Sequence, residues 1–200
     1  MKRLLMMFAV AALLSRGVCL AGGWEDGWAA YDRGDYKAAI AAYKKAANQE
    51  HPWAQTMLGL MYKEGQGVAR DYKQAFFWNR KAAEQGYAVA QYRLGLMYRN
   101  GQGVQQDYKQ AVIWYRKAAE QGEVLAQMSL GAMYVLAQGV PQDYIEAHKC
   151  FNLAAANATD DKTRKTAMEF RDDVAKRMTP AQIAEAQRRA NEWTLPVDTN

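Results

Sequence analysis

The side chains best suited to catalysis or metal binding are few and scattered. His51 precedes Pro52 at the start of a predicted helix, whereas His148 lies inside another helix. Neither histidine has carboxylates or thiols beside it at the spacing that zinc ligands require. The sequence also lacks the nucleophile motif of serine hydrolases and the helix motif of zinc proteases. We therefore predict no catalytic residue, no metal site and no cofactor.

Glycine-rich loops are a second candidate for chemistry. Gly65-Gln66-Gly67 and Gly101-Gln102-Gly103 could suggest phosphate binding. A phosphate-binding loop, however, needs a strand before it and a lysine at a fixed position after it, and both are missing. Glycine at the end of a helix adopts the left-handed conformation without steric cost. We therefore predict that these loops terminate helices.

The segment 90–122 is the unit that organises the chain, because it recurs with a period of 36 residues. Self-similarity at such a period is typical of solenoids built from stacked helix pairs. The in-phase positions are alanines, tyrosines and Asp-Tyr pairs: Ala54, Ala90, Ala126; Tyr62, Tyr98, Tyr134; Asp35, Asp71, Asp107, Asp143.

Each unit predicts two helices, which we call helix A and helix B. In helix A, Ala90, Leu94 and Tyr98 follow helical spacing, and Gly95 allows a neighbouring helix to approach closely. Helix B begins after Asp107, whose carboxylate can cap the helix while Gln110 completes a capping box. The same pattern recurs at Asp71 with Gln74 and at Asp143 with Glu146. Each cap contributes about 1 kcal/mol.

Cys150 falls 36 residues after Trp114 and 72 after Trp78, at a position that should be buried. The other cysteine, Cys19, lies in a predicted leader, so the mature chain would have no intrachain disulfide. We interpret Cys150 as a small buried apolar residue rather than a reactive thiol.

The repeat resembles a known family. The pattern A-x-x-x-L-G-x-x-Y-x-x-G-x-G-V-x-x-D-Y-x-x-A-x-x-W-Y-x-K-A-A-x-x-G is similar to the Sel-one-like repeat, a relative of the tetratricopeptide repeat. Residues 53–122 fit it closely, in two units. Residues 123–156 fit with departures at Ala137, Cys150 and Leu153. The first unit, Trp24 to Ala47, lacks the glycine loop and resembles a plain tetratricopeptide repeat.

The resemblance implies an all-α fold, a right-handed α-solenoid of antiparallel helix pairs in about four repeats. We predict a solenoid at 22–157, capping helices at 158–194 and a tail at 195–200. In the cap, one helix should cover 162–178, and Thr179-Pro180 should begin the next. Such a hairpin would cover the apolar end of the stack.

Residues 1–21 are predicted to be a secretory signal peptide. Lys2 and Arg3 precede an apolar run that is too short to span a bilayer, and Cys19-Leu20-Ala21 provides a small-residue cleavage site. A lipoprotein signal ending at Cys19 and an uncleaved anchor remain alternatives. We therefore expect a periplasmic or secreted protein, with no stable membrane insertion once the leader is removed.

Charge argues against nucleic-acid binding. The formal net charge of the full sequence is +5. Removal of Lys2, Arg3 and Arg16 with the leader lowers it by three, to +2, since no acid is removed with them. The bases of the repeats alternate with acids, which is typical of a solvated helix surface and not of a basic stripe.

The resemblance implies that a protein or peptide partner binds the concave face, which the A helices should line. Lys63, Arg99 and Asn100 could hydrogen-bond an extended segment, and Tyr92 and Met128 could offer apolar contact. Glu25 lies in the same register, and Val135 and Leu136 either join this surface or pack under the C-terminal hairpin. The candidate partner-binding residues are Asp32, Arg33, Thr56, Lys63, Glu64, Tyr92, Arg99, Asn100 and Met128.

The predicted function is an exported, non-catalytic scaffold for protein or peptide binding. Some cysteine-rich relatives are linked to β-lactam binding or hydrolysis, but they carry a disulfide within each repeat, and this chain lacks those cysteine pairs. A cell-envelope hydrolase acting on β-lactams or peptidoglycan is one alternative. A glycan-binding regulator of exopolysaccharide is another.

Overall fold

The computed structural model describes residues 23–193, which form ten α-helices and contain no strand. The predicted leader and tail lie outside the described residues. The helices are α1 Trp24–Asp32, α2 Tyr36–Asn48, α3 Pro52–Glu64, α4 Tyr72–Glu84, α5 Ala88–Asn100, α6 Tyr108–Glu120, α7 Val124–Leu136, α8 Tyr144–Asn157, α9 Asp161–Ala175 and α10 Pro180–Asn191.

The first eight helices form four pairs, in which α1, α3, α5 and α7 are the A helices and α2, α4, α6 and α8 the B helices. Each of these eight helices packs on its neighbours along the chain, and α9 and α10 both pack on α8. The predicted all-α solenoid with a C-terminal helical hairpin is confirmed. Only three residues separate α1 from α2, because the glycine loop of the later units is absent there.

Helix ends follow the sequence signals, with one correction. Gly101 ends α5 at φ 66°, in the left-handed conformation, and the Asp107 carboxylate accepts from the Gln110 backbone N–H at the start of α6. The return bond from Gln110 to Asp107 is not formed, so the predicted capping box was wrong. The Asp107 backbone N–H instead donates to the carbonyl oxygen of Tyr98 at 3.0 Å. In the same way, the backbone N–H of Asp71 donates to the Tyr62 carbonyl oxygen, and that of Asp143 donates to the Tyr134 carbonyl oxygen.

The capping residues of the hairpin are as expected. Thr179 caps α10 with Pro180 in the first turn, and a complete capping box joins Thr179 to Gln182. Ala137 ends α7 at φ 53°, in the conformation that glycine adopts in the two preceding units. A left-handed alanine costs about 1–2 kcal/mol.

Close approach of the A and B helices explains the glycine within each A helix. A Cβ at Gly95 would lie 2.6 Å from Cδ1 of Tyr115, far inside contact distance. Gly27, Gly59 and Gly131 face their own B helices in the same way. The predicted role of Gly95 is confirmed, and the four glycines give a common reference for comparing the A helices.

Three buried glutamines connect the repeats. The side-chain amide of Gln91 donates to the Ala83 carbonyl at the end of the preceding B helix, and its oxygen accepts from Gln121, which follows its own B helix, at 2.7 Å. The other two repeat this arrangement: Gln55 with Ala47 and Gln85, and Gln127 with Ala119 and Asn157. Each unit is therefore tied to the previous one through a side chain that no solvent reaches.

Candidate partner-binding face

In the second and third repeats, the A helices are more enclosed than the B helices. α3 and α5 each have one exposed residue, whereas α4 has six and α6 has five. In a curved stack of helix pairs, the helices on the inner side are crowded by their neighbours. The exposure in these two repeats fits the arrangement that the resemblance implies, with the A helices on the inner side of the solenoid.

The glycine that faces the B helix defines which A-helix residues point inward. At about 100° per residue, positions two before, one after and five after the glycine lie roughly 100–160° away from it. We call these positions the inner face. Its members are Glu25, Trp28 and Asp32 on α1; Met57, Leu60 and Glu64 on α3; Arg93, Leu96 and Asn100 on α5; and Ser129, Ala132 and Leu136 on α7.

Several predicted residues lie on this face or at its edge. Asp32, Glu64 and Asn100 are exposed and belong to it, and Arg33 is exposed just beyond the end of α1. Lys63 and Arg99 are partly exposed beside it, four positions after the glycine and so only about 40° from the direction of the B helix. The Lys63 ammonium pairs with the neighbouring Glu64 carboxylate at 3.0 Å.

Three predicted residues are placed differently. Thr56 is only 3% exposed, and its hydroxyl donates to the Pro52 carbonyl at 2.9 Å, so it is not available to a partner. Tyr92 is half-buried against Tyr115, and Met128 packs beside the buried alanines that join α8 to α9. The reason is geometric. Each of the three residues lies three positions before the glycine of its helix, so its side chain points only about 60° away from the direction of the B helix.

Arg93 is a charged inner-face residue that was not among the predicted partner-binding residues. Its guanidinium is largely buried, its Nε makes no hydrogen bond, and burial lowers its pKa. Its charge interacts with Tyr31, Glu64 and Glu123, which belong to three other parts of the A layer. Among residues 23–193, no carboxylate lies within 4 Å of it to form an ion pair. The sequence offered one signal for this residue: α5 carries Arg93 but contains no acidic residue that could pair with it along the helix.

The first A helix combines acidic and aromatic side chains. Trp28 is 49% exposed and packs edge-on against Trp53 at 5.7 Å between ring centroids. Glu25 and Asp32 lie on the inner face beside it, and α1 contains no basic residue. This end of the inner face is therefore negatively charged and presents a large aromatic surface.

The last A helix is apolar. No charged residue occurs in α7, and Leu125 and Leu136 are 46% and 55% exposed. Val135 packs in a cluster with Phe151 of α8 and Val174 of α9 in the hairpin. Of the two alternatives for this pair, packing under the hairpin holds for Val135, whereas Leu136 stays exposed on the inner face.

Cys150 lies beneath the end of the C-terminal hairpin. It is 3% exposed, and burial raises the pKa of its thiol to about 12, so the predicted burial is confirmed. A cavity of about 230 Å³ adjoins it, and Trp193 is one of the residues that line the cavity. Lys149 places its ammonium 4.7 Å from the Trp193 ring centroid and pairs with Glu146. Trp193 thus covers a repeat in which the tryptophan of earlier units is replaced by cysteine.

The described residues contain neither a cluster of metal ligands nor a membrane-spanning helix. Between residues 23 and 193, no three histidine, cysteine, aspartate or glutamate side chains converge as a metal site would require. Over the same stretch, no helix combines the length and apolar character needed to cross a bilayer.

The repeated helix pairs match a known family. The sequence profile of the Sel1 repeat matches residues 11–51, 54–87, 88–123 and 124–158, most of the chain. The chain belongs to the Sel1 repeat family. Sel1 repeat proteins are generally scaffolds for protein interaction. No curated protein matches this Sel1 repeat chain.

Solved structures share its architecture. A Sel1 repeat protein from Oxalobacter formigenes is 30% identical with a TM-score of 0.66, over 84% of this chain and 74% of that one. The protective antigen c5321 of uropathogenic Escherichia coli is 35% identical with a TM-score of 0.72, over 78% of this chain. This chain spans only 32% of that antigen. The cysteine-rich protein B of Helicobacter pylori, 23% identical over 66% of this chain and 94% of its own with a TM-score of 0.52, shares the fold.

Proposed function

We propose that this Sel1 repeat protein is an exported scaffold that binds an extended segment of another protein on its inner face and catalyses no reaction. The observation that carries the proposal is the unpaired Arg93 in the middle of that face. A largely buried charge without a partner is unfavourable unless something else supplies the counter-charge. Glu64 and Glu123 act on Arg93 from beyond ion-pair distance, and an acidic group from a bound protein would form the direct pair that they do not form.

The surroundings of Arg93 fit a protein segment. Leu60 and Leu96 offer apolar contact beside it, and Asn100 offers a side-chain amide that can pair with a peptide backbone. A surface that mixes apolar contact with a few polar groups is typical of protein interfaces. The family's general role in protein interaction supports the same proposal.

Photocrosslinking in cells tests the binding face. A photoreactive residue at Asn100, on the inner face, should capture a specific partner, whereas the same residue at Lys109, exposed on helix α6, should not. Equal capture at both positions, or none at either, would contradict binding on the inner face.

Charge reversal tests the polar contacts. The pair Lys63→Glu and Arg99→Glu should weaken the captured complex. The pair Lys73→Glu and Lys109→Glu makes the same change in net charge on exposed positions of α4 and α6 and should leave it intact. Loss of the complex in both pairs would indicate attraction by overall charge, which requires no defined face.

Export and catalysis have separate tests. Cell fractionation and the mass of the purified protein should reveal a processed chain outside the cytoplasm; an intact chain in the cytoplasm would refute export.

The purified protein should neither hydrolyse a chromogenic β-lactam nor release fragments from peptidoglycan, and a glycan array should remain blank. Turnover in either assay would favour the hydrolase alternative, and selective glycan binding would favour the exopolysaccharide alternative.

A further inference from the structure

The chemical character of the inner face changes from one A helix to the next. On α1 it carries Glu25 and Asp32 around the exposed Trp28. On α3 the only charges are Glu64 and its ion-pair partner Lys63. On α5 Arg93 is unpaired, and α7 presents no charge. The face therefore runs from acidic and aromatic, through basic, to apolar.

We infer that the inner face selects an extended protein segment whose side chains follow a fixed order: a large apolar residue at α7, an acidic residue at α5 and a basic residue at α1. The inference rests on the proposed function and specifies the partner of the same site. Complementary charge decides the positions at α5 and α1, and apolar contact decides the position at α7. Because the three positions differ in character, their order matters.

The acidic position is set by α5. Arg93 presents a planar guanidinium, which binds carboxylates through paired hydrogen bonds. Arg99, six residues further along α5, points about 120° around the helix from Arg93 and interacts with Tyr115 of α6, so Arg93 alone defines the acidic position.

The basic position is set by α1. A lysine or arginine side chain bound over the exposed ring of Trp28 would gain a cation–π contact. Glu25 and Asp32 would neutralise its charge from either side of the tryptophan. An acidic residue at this position would face the same two carboxylates and be repelled.

The apolar position is set by α7. Leu125 and Leu136 remain about half exposed at the two ends of this helix, and Ser129 and Ala132 between them are small. Small residues flanked by exposed leucines leave room for a large apolar side chain. A charged residue here would lose solvation without finding a partner.

Helix spacing sets the distances along the partner. Packed helices are about 10 Å apart, and consecutive A helices, which pack on the B helix between them, are at least that far apart. Because an extended chain advances about 3.3 Å per residue, each A helix corresponds to at least about three residues. The acidic residue should therefore follow the apolar one by about three positions, and the basic residue should lie about six positions beyond. The whole segment is about ten residues long.

Synthetic peptides test the order directly with the purified full chain. One twelve-residue peptide carries leucine, glutamate and lysine at these spacings in a serine–alanine background, and a second carries the same sequence reversed. Matched controls exchange the glutamate and lysine in each. By fluorescence anisotropy, at least one ordered peptide should bind about tenfold or more tightly than its exchanged control.

A charge exchange in the protein provides a second readout. Arg93→Glu should lose the preference for glutamate and favour a peptide with lysine at that position, whereas Lys109→Glu on α6 should behave as the unchanged protein. Circular dichroism of each variant checks that the helices remain folded.

The outcomes separate the two proposals. If ordered and exchanged peptides bind equally well, or if no peptide binds, the order is refuted; capture of a partner at Asn100 would still support the inner-face scaffold. If capture at Asn100 also fails, the proposed function is refuted as well.

Discussion

The carboxamide of Gln121 donates to that of Gln91 across 2.7 Å, which joins the end of one repeat's B helix to a buried side chain of the same repeat's A helix. Gln91 in turn donates to Ala83 in the repeat before. Because one side chain serves both connections, it fixes the position of one unit relative to the next.

Replacement of Gln91 by leucine tests this connection. The change preserves size but removes the bonds of Gln91 to the Ala83 carbonyl and the Gln121 amide. Gly86 still bonds to both groups, so the free energy of unfolding should fall by roughly 0.5–1.5 kcal/mol. Urea denaturation followed by circular dichroism measures it. Gln105→Leu, on an exposed loop, should change little; equal losses in both would show that the buried amide has no special role.

The helix end at Ala137 should be improvable. Ala137→Gly removes the Cβ from a left-handed residue and should stabilise the protein by about 1 kcal/mol, while Gly101→Ala should destabilise it by about the same amount. Urea midpoints of the two variants should move in opposite directions. Movement in the same direction would mean that the backbone conformations differ from those described.

The Cys150 thiol should be almost unreactive. With its pKa raised to about 12 and its side chain buried, little thiolate exists at pH 8 to attack a thiol reagent. Trp193→Ala should raise labelling at Cys150 about tenfold or more by opening the adjacent cavity, and Trp28→Ala should not. Mass spectrometry of the labelled peptide gives the rates. Rapid labelling of the unchanged protein would contradict the burial.

Acid should destabilise the fold in part through His148. Burial, reinforced by the charge of Arg171, holds the pKa of this imidazole below its ordinary value of 6.5. Below about pH 6.5 the unfolded chain therefore binds more protons than the folded one, and the free energy of unfolding falls until pH passes the folded pKa. His148→Leu should reduce this fall between about pH 7 and pH 5, as measured by urea midpoints.

His51 supplies the comparison for that experiment. Burial also lowers its pKa, and its Nδ1 caps α3 by accepting from the Ala54 backbone N–H. His51→Asn keeps a capping acceptor and should remove a separate share of the pH dependence. If both single variants retain the full pH dependence, other groups control the acid transition.

Arg93 should contribute more to binding than to stability. Arg93→Leu removes an unpaired, largely buried charge, so the free energy of unfolding should stay within about 1 kcal/mol of the original or rise. Affinity for the ordered peptide should nevertheless fall about tenfold or more. Arg189→Leu, which breaks contacts with Glu146 and Glu185, should show the reverse pattern. A large loss of stability on removing Arg93 would identify it as a structural residue.

The sequence predicted the architecture well because period, glycine stops and aspartate caps all signal the same helix pairs. It could not predict that the Asp107 N–H would bond to Tyr98, since that partner lies across a loop in the folded unit. The buried glutamines were likewise missed: a glutamine after each in-phase alanine was visible, but its partners lie eight residues before it and thirty after it.

The candidate site was predicted less completely. The prediction assigned Thr56, Tyr92 and Met128 to the surface. In the structure, this row of A-helix residues lies about 60° from the contact with the B helix, where packing buries Thr56 and partly buries the other two. The absence of an acid from its own helix is a local signal for Arg93, but whether a neighbouring repeat supplies a partner is recognisable only once the repeats are stacked.

The buried glutamines also bear on how such a chain can change in length. Every connection that Gln91 makes is reproduced one period earlier by Gln55 and one period later by Gln127. Duplication or loss of one whole 36-residue segment would therefore carry its own linking amide with it and leave the remaining junctions undisturbed. Each duplicated segment would also add one A helix to the inner face, so growth of the gene by unit steps would lengthen the footprint on a bound chain by about three residues at a time.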